Sequence, residues 1–323
     1  MQEVSKDIFY QLIADFEWVP FTQTLAYNLS IVPEESLHFF IDDMEHPMLG
    51  CVGYARCKPA LKMLCVGGEC RRSKEGTDRK RYVEFYQAIH ETGFDIYELN
   101  LNTPYAADAE IALRTAGYLR PIGMFSTALS KIIHTTEAIQ YDKSWKRNLK
   151  KGHEAELKWA VVEHVSEEHI ANYIRHHEDL LQRKGFHEGL TAQGLRTLLQ
   201  DPHFKMCLIT NPSGETVGGG IFYVQANASV TLYSFSTTAG RESGAAYLFY
   251  EGIIGYLAQQ GIQTLDVGRI SPCTHKKQNI FLFKDGIGGE YVQYLGEWEY
   301  CRKKWLSVLL YFAKQYIWKR VRV

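Results

Sequence analysis

The sequence predicts a mixed α/β protein with two tandem modules, each built on a central mixed sheet flanked by helices. Short apolar segments bounded by turn residues alternate with segments of helical periodicity along the chain. A length of 323 residues is enough for two domains of ordinary size. The same order of helix, glycine, short strand and polar residue occurs twice, from Gly93 to Asn100 and from Gly261 to Asp266. Such a cadence favours two modules of similar topology.

The composition indicates a folded protein without a strong net charge. Hydrophobic residues make up 46% and charged residues 23%, and the formal net charge is -1, so any basic binding site must be local. No apolar run has the length of a membrane span. Residues 1–15 include Glu3, Lys6, Asp7 and Asp15, which argues against a secretory signal. We therefore expect a cytoplasmic protein that can work at the inner membrane surface.

In the first half, strands are predicted at residues 37–41, 50–56, 62–66, 96–99 and 122–129. Asp78 should cap a helix that ends at Gly93, and residues 106–115 should form a helix closed by Gly117. The clustered cysteines lack the C-x-x-C pairs of a structural zinc site, so we expect free thiols on strands, with a metal site as the alternative. These cysteines are Cys51, Cys57, Cys65 and Cys70.

The second half repeats the pattern at greater length. Its predicted strands are residues 157–163, 205–209, 217–224, 230–236 and 264–267, and its predicted helices are residues 166–185, 191–200 and 244–260. Residues 302–323 combine apolar periodicity with basic residues at both ends. A packed terminal helix is one interpretation of this tail, and a helix lying on a membrane surface is the other.

The junction at residues 142–158 is strongly basic. Lys146, Arg147 and Lys150 are expected to supply positive potential to a phosphate-bearing acceptor or to RNA, and a solvated linker is the alternative. The predicted domains are accordingly a first module at 1–140, a linking helix at 141–156 and a second module at 157–323.

One glycine-containing loop is the strongest functional pattern. Residues 241–246 read R-x-x-G-x-A between a strand ending at Ser236 and a predicted helix. Small residues at such a turn let backbone N–H groups point at an anion, and the helix N-terminus adds partial positive charge. We predict a phosphate-rich donor site at Ser236, Arg241, Ser243, Gly244, Ala245 and Ala246. The alternative is a glycine that only permits close packing.

This loop resembles the donor loop of the GNAT superfamily, whose Q/R-x-x-G-x-G/A pattern holds the pyrophosphate of acyl-coenzyme A. Further motifs resemble the Fem-type (FemABX) aminoacyltransferases of peptidoglycan synthesis. They are T-L-D-V-G-R at 264–269, F-K-D-G at 283–286, W-K-R-N-L-K-K at 145–151 and P-F-T-Q at 20–23. The resemblance implies two GNAT-like modules and an acyltransferase.

The resemblance also implies a donor and a set of catalytic residues. Lys284, in the family's F-K segment, would stabilise the oxyanion with a free ammonium, and Asp266 and Arg269 would hold the acceptor. If residues 283–285 form a strand, Asp285 points away from Lys284. The alternatives are a surface lysine and a structural Asp266–Arg269 ion pair. Ile287 departs from the family's usual Phe, and the short junction leaves no room for a transfer RNA-binding arm, which favours acyl-coenzyme A over aminoacyl-tRNA.

The expected function is therefore transfer of an acyl or aminoacyl group to an amino group of a cell-wall precursor or sugar. His275 and Glu242 are weak candidates for the base, and G-x-S-x-G of a hydrolase is absent. We interpret His176, His177 and Glu178 as a solvated helix face. The expected partner is a phosphate-bearing or lipid-linked acceptor, with transfer RNA and a peripheral membrane contact of the C-terminal helix as further candidates. The alternative is a GNAT-like module that binds a nucleotide-sugar or peptide without catalysis.

Overall fold

The structure is a computed structural model that describes residues 1–58, 61–122, 128–184, 189–270 and 278–317. The chain forms two compact units. The first contains residues 1–28, 32–129 and 292–323, and the second contains residues 29–31 and 130–291. Within the described ranges, no helix is long and apolar enough to cross a membrane.

The first unit is built on a sheet with strand order β1-β2-β3-β4-β6-β13, and β5 pairs with β3. Its pairs are antiparallel except for β4 and β6, which are parallel. The strands are β1 (Gln2–Val4), β2 (Leu37–Ile41), β3 (Leu49–Lys58), β4 (Leu61–Val66), β5 (Cys70–Arg71), β6 (Ile96–Pro104) and β13 (Glu290–Cys301). Helices α3 and α4 pack on a core that includes Tyr82, Phe85, Leu113 and Trp298.

Three of the α-helices in this half of the chain begin at residues whose side chains cap them, namely Ser5, Thr24 and Asp78. Asp78 accepts a hydrogen bond from the Arg81 N–H at the start of α3, as predicted. Gly117 follows α4 with a φ of +89°, a conformation that glycine adopts without strain. The helices are α1 (Lys6–Leu12), α2 (Leu25–Ile31), α3 (Arg79–His90), α4 (Ala107–Thr115) and, at the C-terminal end, α11 (Lys304–Phe312), followed by a π-helical turn at Ala313–Ile317.

The second unit has the strand order β7-β12-β11-β10-β9-β8, and only β11 and β12 are parallel. The strands are β7 (Leu129–His134), β8 (Lys158–Val161), β9 (Phe204–Thr210), β10 (Thr216–Gln225), β11 (Ala228–Ser236) and β12 (Thr264–Asp266). The helices are α5 (Lys143–Glu154), α6 (Glu167–Lys184), α7 (Ala192–Leu199), α8 (Thr238–Glu242), α9 (Ala245–Gln259) and α10 (Gln278–Asp285). Helix α9 supplies much of the core through Leu248, Phe249, Ile253 and Leu257.

The two units divide the chain differently from the predicted boundaries. Helix α5 is not a free linker, because it packs on α9 through the buried Trp145, Leu149 and Gly152. Strand β13 belongs to the first unit, because residues 294–301 pair with β6. The predicted strand at 122–129 lies partly outside the described residues. The four clustered cysteines are free thiols on β3, β4 and β5.

Two local expectations are wrong. Residues 283–285 end helix α10 and are not part of a strand, so the alternation argument that separated Asp285 from Lys284 does not apply. His176 and His177 of α6 are not part of a solvated face, since His177 is 5% exposed and His176 stacks on Phe235. The second error concerns side chains whose burial depends on partners distant in sequence.

Candidate functional site

The parallel strands of the second unit, β11 and β12, differ in length, so that their pairing ends before β11 does. Pairing of β11 with β12 stops at Val230 and Asp266, whereas β11 continues to Ser236 along β10. The register with β10 also shifts between Thr231 and Ser234, which marks a β-bulge or irregularity in this part of β11. Ligands often bind beyond the C-terminal ends of parallel strands in α/β sheets, and bulges are common beside such sites.

A second feature of this region is the loop that follows β11. Thr237 caps the short α8 by accepting a hydrogen bond from the Gly240 N–H. The guanidinium of Arg241 donates to the carbonyl of Ser236 at 3.0 Å and to the hydroxyl of Thr238 at 2.8 Å. The hydroxyl of Ser243 donates to the carbonyl of Ala239 at 2.8 Å. Arg241 and Ser243 therefore hold the loop in shape.

Gly244 precedes α9 in a left-handed conformation with a φ of +84°. A Cβ atom at this position would lie 2.4 Å from the carbonyl oxygen of Asn148 and 3.1 Å from the amide nitrogen of Gly152. The glycine is thus required for the close approach of α5, as the packing interpretation expected. The first N–H groups of α9, at the buried Ala245 and the half-buried Ala246, begin a helix and have no intrahelical acceptor. Phosphate binding by this loop stays a prediction.

Asp266 shapes the turn that follows β12. Its Oδ1 atom accepts a hydrogen bond from the Gly268 N–H at 2.8 Å and one from the buried hydroxyl of Ser130. Gly268 has a φ of +77°, and its carbonyl lies 2.8 Å from the Ser130 hydroxyl. Asp266 is half-buried. Its hydrogen bonds position the backbone of residues 267–269.

Lys284 reaches the same turn from α10. Its half-buried ammonium donates to the carbonyl of Gly268 at 3.0 Å and to the carbonyl of Arg269 at 2.8 Å. The structure thus brings Asp266, Arg269 and Lys284 together at one turn, and the ammonium of Lys284, which was expected to be free, is engaged by two carbonyls.

Asp285 has partners of its own. Lys131, which is 4% exposed, donates to the carbonyl of Asp285 at 2.7 Å and to its carboxylate at 3.2 Å. The hydroxyl of Tyr291 donates to the same carboxylate at 2.5 Å and, with Lys131, holds the pKa of Asp285 below its usual value. The carboxylate next to Lys284 in sequence therefore forms a separate cluster.

The exposed side of α5 is basic. Lys146, Arg147 and Lys150 are exposed, and Lys150 forms an ion pair with Glu154 at 3.4 Å. The opposite side of the helix is apolar and buried. The predicted basic surface therefore exists, whereas its ligand stays a prediction.

The sequence interpretation missed His176 and His177 of α6 as site candidates. The ring of His177 lies 5.9 Å from the ring of Tyr233, a residue within the irregular part of β11. Burial lowers the pKa of His177 and of His176, which favours the neutral imidazole. Within the described part of the chain, neither ring nitrogen of His177 has a hydrogen-bond partner.

Two other residues, Glu242 and His275, were expected as weak candidates for the base. Glu242 is exposed on α8, and His275 lies outside the described residues.

Several solved structures share this fold. FemX has a TM-score of 0.73 and 10% sequence identity, with 96% of this chain and 99% of that chain covered. The C-terminal domain (DUF2156) of a candidate lysylphosphatidylglycerol synthetase from Agrobacterium fabrum has a TM-score of 0.60, 10% identity, and coverage of 96% of each chain. A tandem GNAT protein from the clavulanic acid biosynthesis pathway has a TM-score of 0.52, 7% identity, and coverage of 91% of this chain and 93% of that chain.

These similarities establish the fold class. The chain consists of two GNAT-like modules with a Fem-like architecture, as the sequence motifs indicated. Neither a protein-family model nor a curated protein matches the sequence. Identities near 10% concern the fold alone, so the activity is argued below from the site.

Proposed function

We propose that this protein transfers an acyl or aminoacyl group to an amino group of a cell-wall precursor or sugar. The observation that carries the proposal is that the parallel pairing of β11 with β12 ends at Val230 and Asp266 while β11 continues to Ser236, in the same unit as the start of α9 at Gly244. In this proposal an extended donor lies beyond the end of β12, with its acyl end along β11 and its phosphates at the N-terminus of α9.

The similar structures support the choice of reaction class. FemX and the C-terminal domain of a candidate lysylphosphatidylglycerol synthetase share the architecture, and the tandem GNAT protein, which was solved without AcCoA, is described with reference to that donor. We propose a phosphate-bearing donor, either acyl-coenzyme A or aminoacyl-tRNA. A phosphate-bearing or lipid-linked acceptor would use Lys146, Arg147 and Lys150 of α5, which are exposed and cationic.

The reaction requires stabilisation of a tetrahedral oxyanion. In our proposal Lys284 acts as a positioning residue, because its ammonium bonds to the carbonyls of Gly268 and Arg269. When an ammonium donates a hydrogen bond to a carbonyl oxygen, it polarises that peptide group, and the N–H of the same peptide group becomes a stronger hydrogen-bond donor. Asp266 holds the turn that presents these N–H groups.

The acceptor amine must also lose a proton. We propose His177 for this role, because burial keeps its imidazole neutral and its ring faces Tyr233 on the irregular part of β11. The acceptor nitrogen attacks the acyl carbonyl carbon, His177 receives the proton, and the donor's thiolate or ribose oxygen leaves as the tetrahedral intermediate collapses.

The donor site can be tested without disturbing the packing of Gly244. Ala246→Glu places a carboxylate in the first turn of α9. The helix dipole stabilises a negative charge there, but the carboxylate repels phosphate. Coenzyme A, acetyl-coenzyme A, an aminoacyl-tRNA and a nucleotide-linked muropeptide would be screened by thermal shift. We expect at least one donor to raise the melting temperature of the parent and of Ala246→Gln, and to bind Ala246→Glu about tenfold more weakly.

Equal donor binding by Ala246→Glu and Ala246→Gln would show that phosphate does not bind at this loop.

The second candidate function is ligand binding without catalysis. One observation favours it, since the cationic groups of Arg241 and Lys284 both donate to backbone carbonyls of the protein itself. Acyl transfer measured by mass spectrometry with each bound donor and its acceptor separates the two, because a pure binding module forms no product.

A further inference from the structure

The C-terminal helix α11 is apolar on two sides. Its inner side packs on the first unit through Leu306 and Leu310, which contact Ile96 of β6. Four residues further, Lys314 is 2% exposed and bridges Glu98 and Glu299. The spacing of these three residues is i, i+4 and i+8, which marks one stripe of a helix. The helix is thus fixed to the sheet by its inner stripe.

The outer side carries a second apolar stripe that the described chain does not cover. Trp305, Leu309, Phe312 and Tyr316 follow at i, i+4, i+7 and i+11, and they are 57%, 56%, 51% and 60% exposed. The rings of Phe312 and Tyr316 stack at 5.7 Å. Soluble proteins rarely leave contiguous large apolar side chains in water, so this outer stripe indicates a binding surface.

The charges around the outer stripe identify what covers it. Arg302, Lys303 and Lys304 are exposed at the start of the helix, and no ion pair within the described ranges involves them. From Arg302 to Ile317 the sequence contains no carboxylate. A second copy of this helix would bring only more cations to the surface, whereas anionic lipid headgroups supply the missing charge.

We propose that α11 and the following π-helical turn lie on an anionic membrane surface. The outer stripe would enter the boundary between headgroups and acyl chains, with Trp305 and Tyr316 at the level that amphipathic aromatic rings prefer. Arg302, Lys303 and Lys304 would contact the phosphates. This inference does not depend on the proposed transferase activity, because lipid binding is measured without donor or acceptor.

The test is co-sedimentation of the full chain with vesicles. We expect binding to vesicles of phosphatidylcholine and phosphatidylglycerol in equal parts, weaker binding to phosphatidylcholine alone, and loss of binding at high salt. Leu309→Ser combined with Phe312→Ser should weaken binding at least about tenfold, because two exposed apolar groups no longer enter the lipid. The matched control is Ile111→Ser with Leu119→Ser, which changes two exposed apolar side chains elsewhere in the first unit.

A charge variant keeps the proposal testable if the serine variant does not fold. Lys303→Gln with Lys304→Gln should reduce binding several-fold and flatten the salt dependence, whereas the control Lys80→Gln with Lys158→Gln should not. Equal binding of variants and controls would overturn the inference. It would also be overturned if the parent formed a dimer without vesicles and the serine variant were a monomer, since a second copy would then cover the outer stripe.

Discussion

Lys284 joins α10 to the turn after β12 through two hydrogen bonds from one ammonium. Hydrogen bonds to a charged group contribute about 1.5–3 kcal/mol each to stability. A group of this kind can act in two ways. It can stabilise the folded turn, or it can strengthen the turn's N–H groups for the transition state.

Replacement of Lys284 by Met distinguishes the two roles. For a positioning residue in catalysis, we expect kcat to fall on the order of a hundredfold with little change of KM, together with a measurable loss of melting temperature. Lys284→Arg, which keeps the charge, should recover part of both. Loss of melting temperature with parental turnover would restrict Lys284 to a structural role.

His177 provides a pH-dependent prediction at the same scale. Because burial lowers its folded-state pKa below the ordinary value of 6.5, the unfolded chain binds a proton that the folded chain does not. We therefore expect stability to fall as the pH falls through about 6.5. The loss should be smaller in His177→Phe, which cannot take up that proton.

Denaturant unfolding between about pH 7 and pH 5 gives the measurement, with His164→Phe as the exposed control. If His177→Phe followed the parental pH dependence, His177 would not be the titrating group. His176 and His90, whose pKa values are also lowered by burial, should contribute to the dependence that remains in the variant.

Among the elements, β6, β13 and the C-terminal segment depend on one buried cation. Glu98 and Glu299 are directly opposed in the β6–β13 ladder, where like charges repel, and Lys314 lies against both. Burial raises the pKa of Glu299, although Lys314 partly opposes this. The C-terminal segment therefore completes the electrostatics of the sheet as well as its packing.

Lys314→Met should destabilise the protein by about 3–5 kcal/mol at neutral pH, because it leaves an unpaired buried carboxylate. A carboxyl group with a raised folded-state pKa contributes more stability at low pH. The deficit of Lys314→Met should therefore shrink as the pH falls through the raised pKa of Glu299. Urea unfolding at several pH values measures this, with Lys80→Met as the exposed control. A deficit that does not change with pH would mean that packing, and not charge, is lost.

At the scale of the whole molecule, the first unit is not continuous in sequence, because residues 130–291 of the second unit lie between two of its segments. Strand β13 enters the first unit from residues 292 onward and places Leu295 and Trp298 in its core. A polypeptide of residues 1–140 therefore lacks a strand that pairs with β6. Such a fragment corresponds to the predicted first domain but not to the observed unit.

We expect residues 1–140 alone to show no cooperative thermal unfolding, since two large core side chains are missing and β6 loses a partner strand. Addition of a peptide of residues 292–323 should restore a transition. Residues 130–291, which contain every strand of the second unit's sheet from Ser130 onward, should unfold cooperatively without any peptide. Circular dichroism measures each case, and cooperative unfolding of 1–140 alone would show that β13 is dispensable.

Local patterns in the sequence determined the elements and the fold class. Short apolar segments bounded by turn residues located β2, β4 and β11, and the cap at Asp78 located the start of α3, because both signals depend on residues a few positions apart. The motifs that resemble Fem-type enzymes predicted the Fem-like fold. Asp266, Arg269 and Lys284, which belong to these motifs, lie at one turn of the structure.

Only the tertiary structure decided features that depend on distant partners. The pairing of β13 with β6, the burial of His177, the engagement of the Lys284 ammonium and the close approach of Asn148 to Gly244 all join segments far apart in sequence. A local period says which face of an element is apolar, but it does not say which element covers that face. For the same reason, the outer stripe of α11 could be recognised as uncovered only once its inner stripe was seen to be packed.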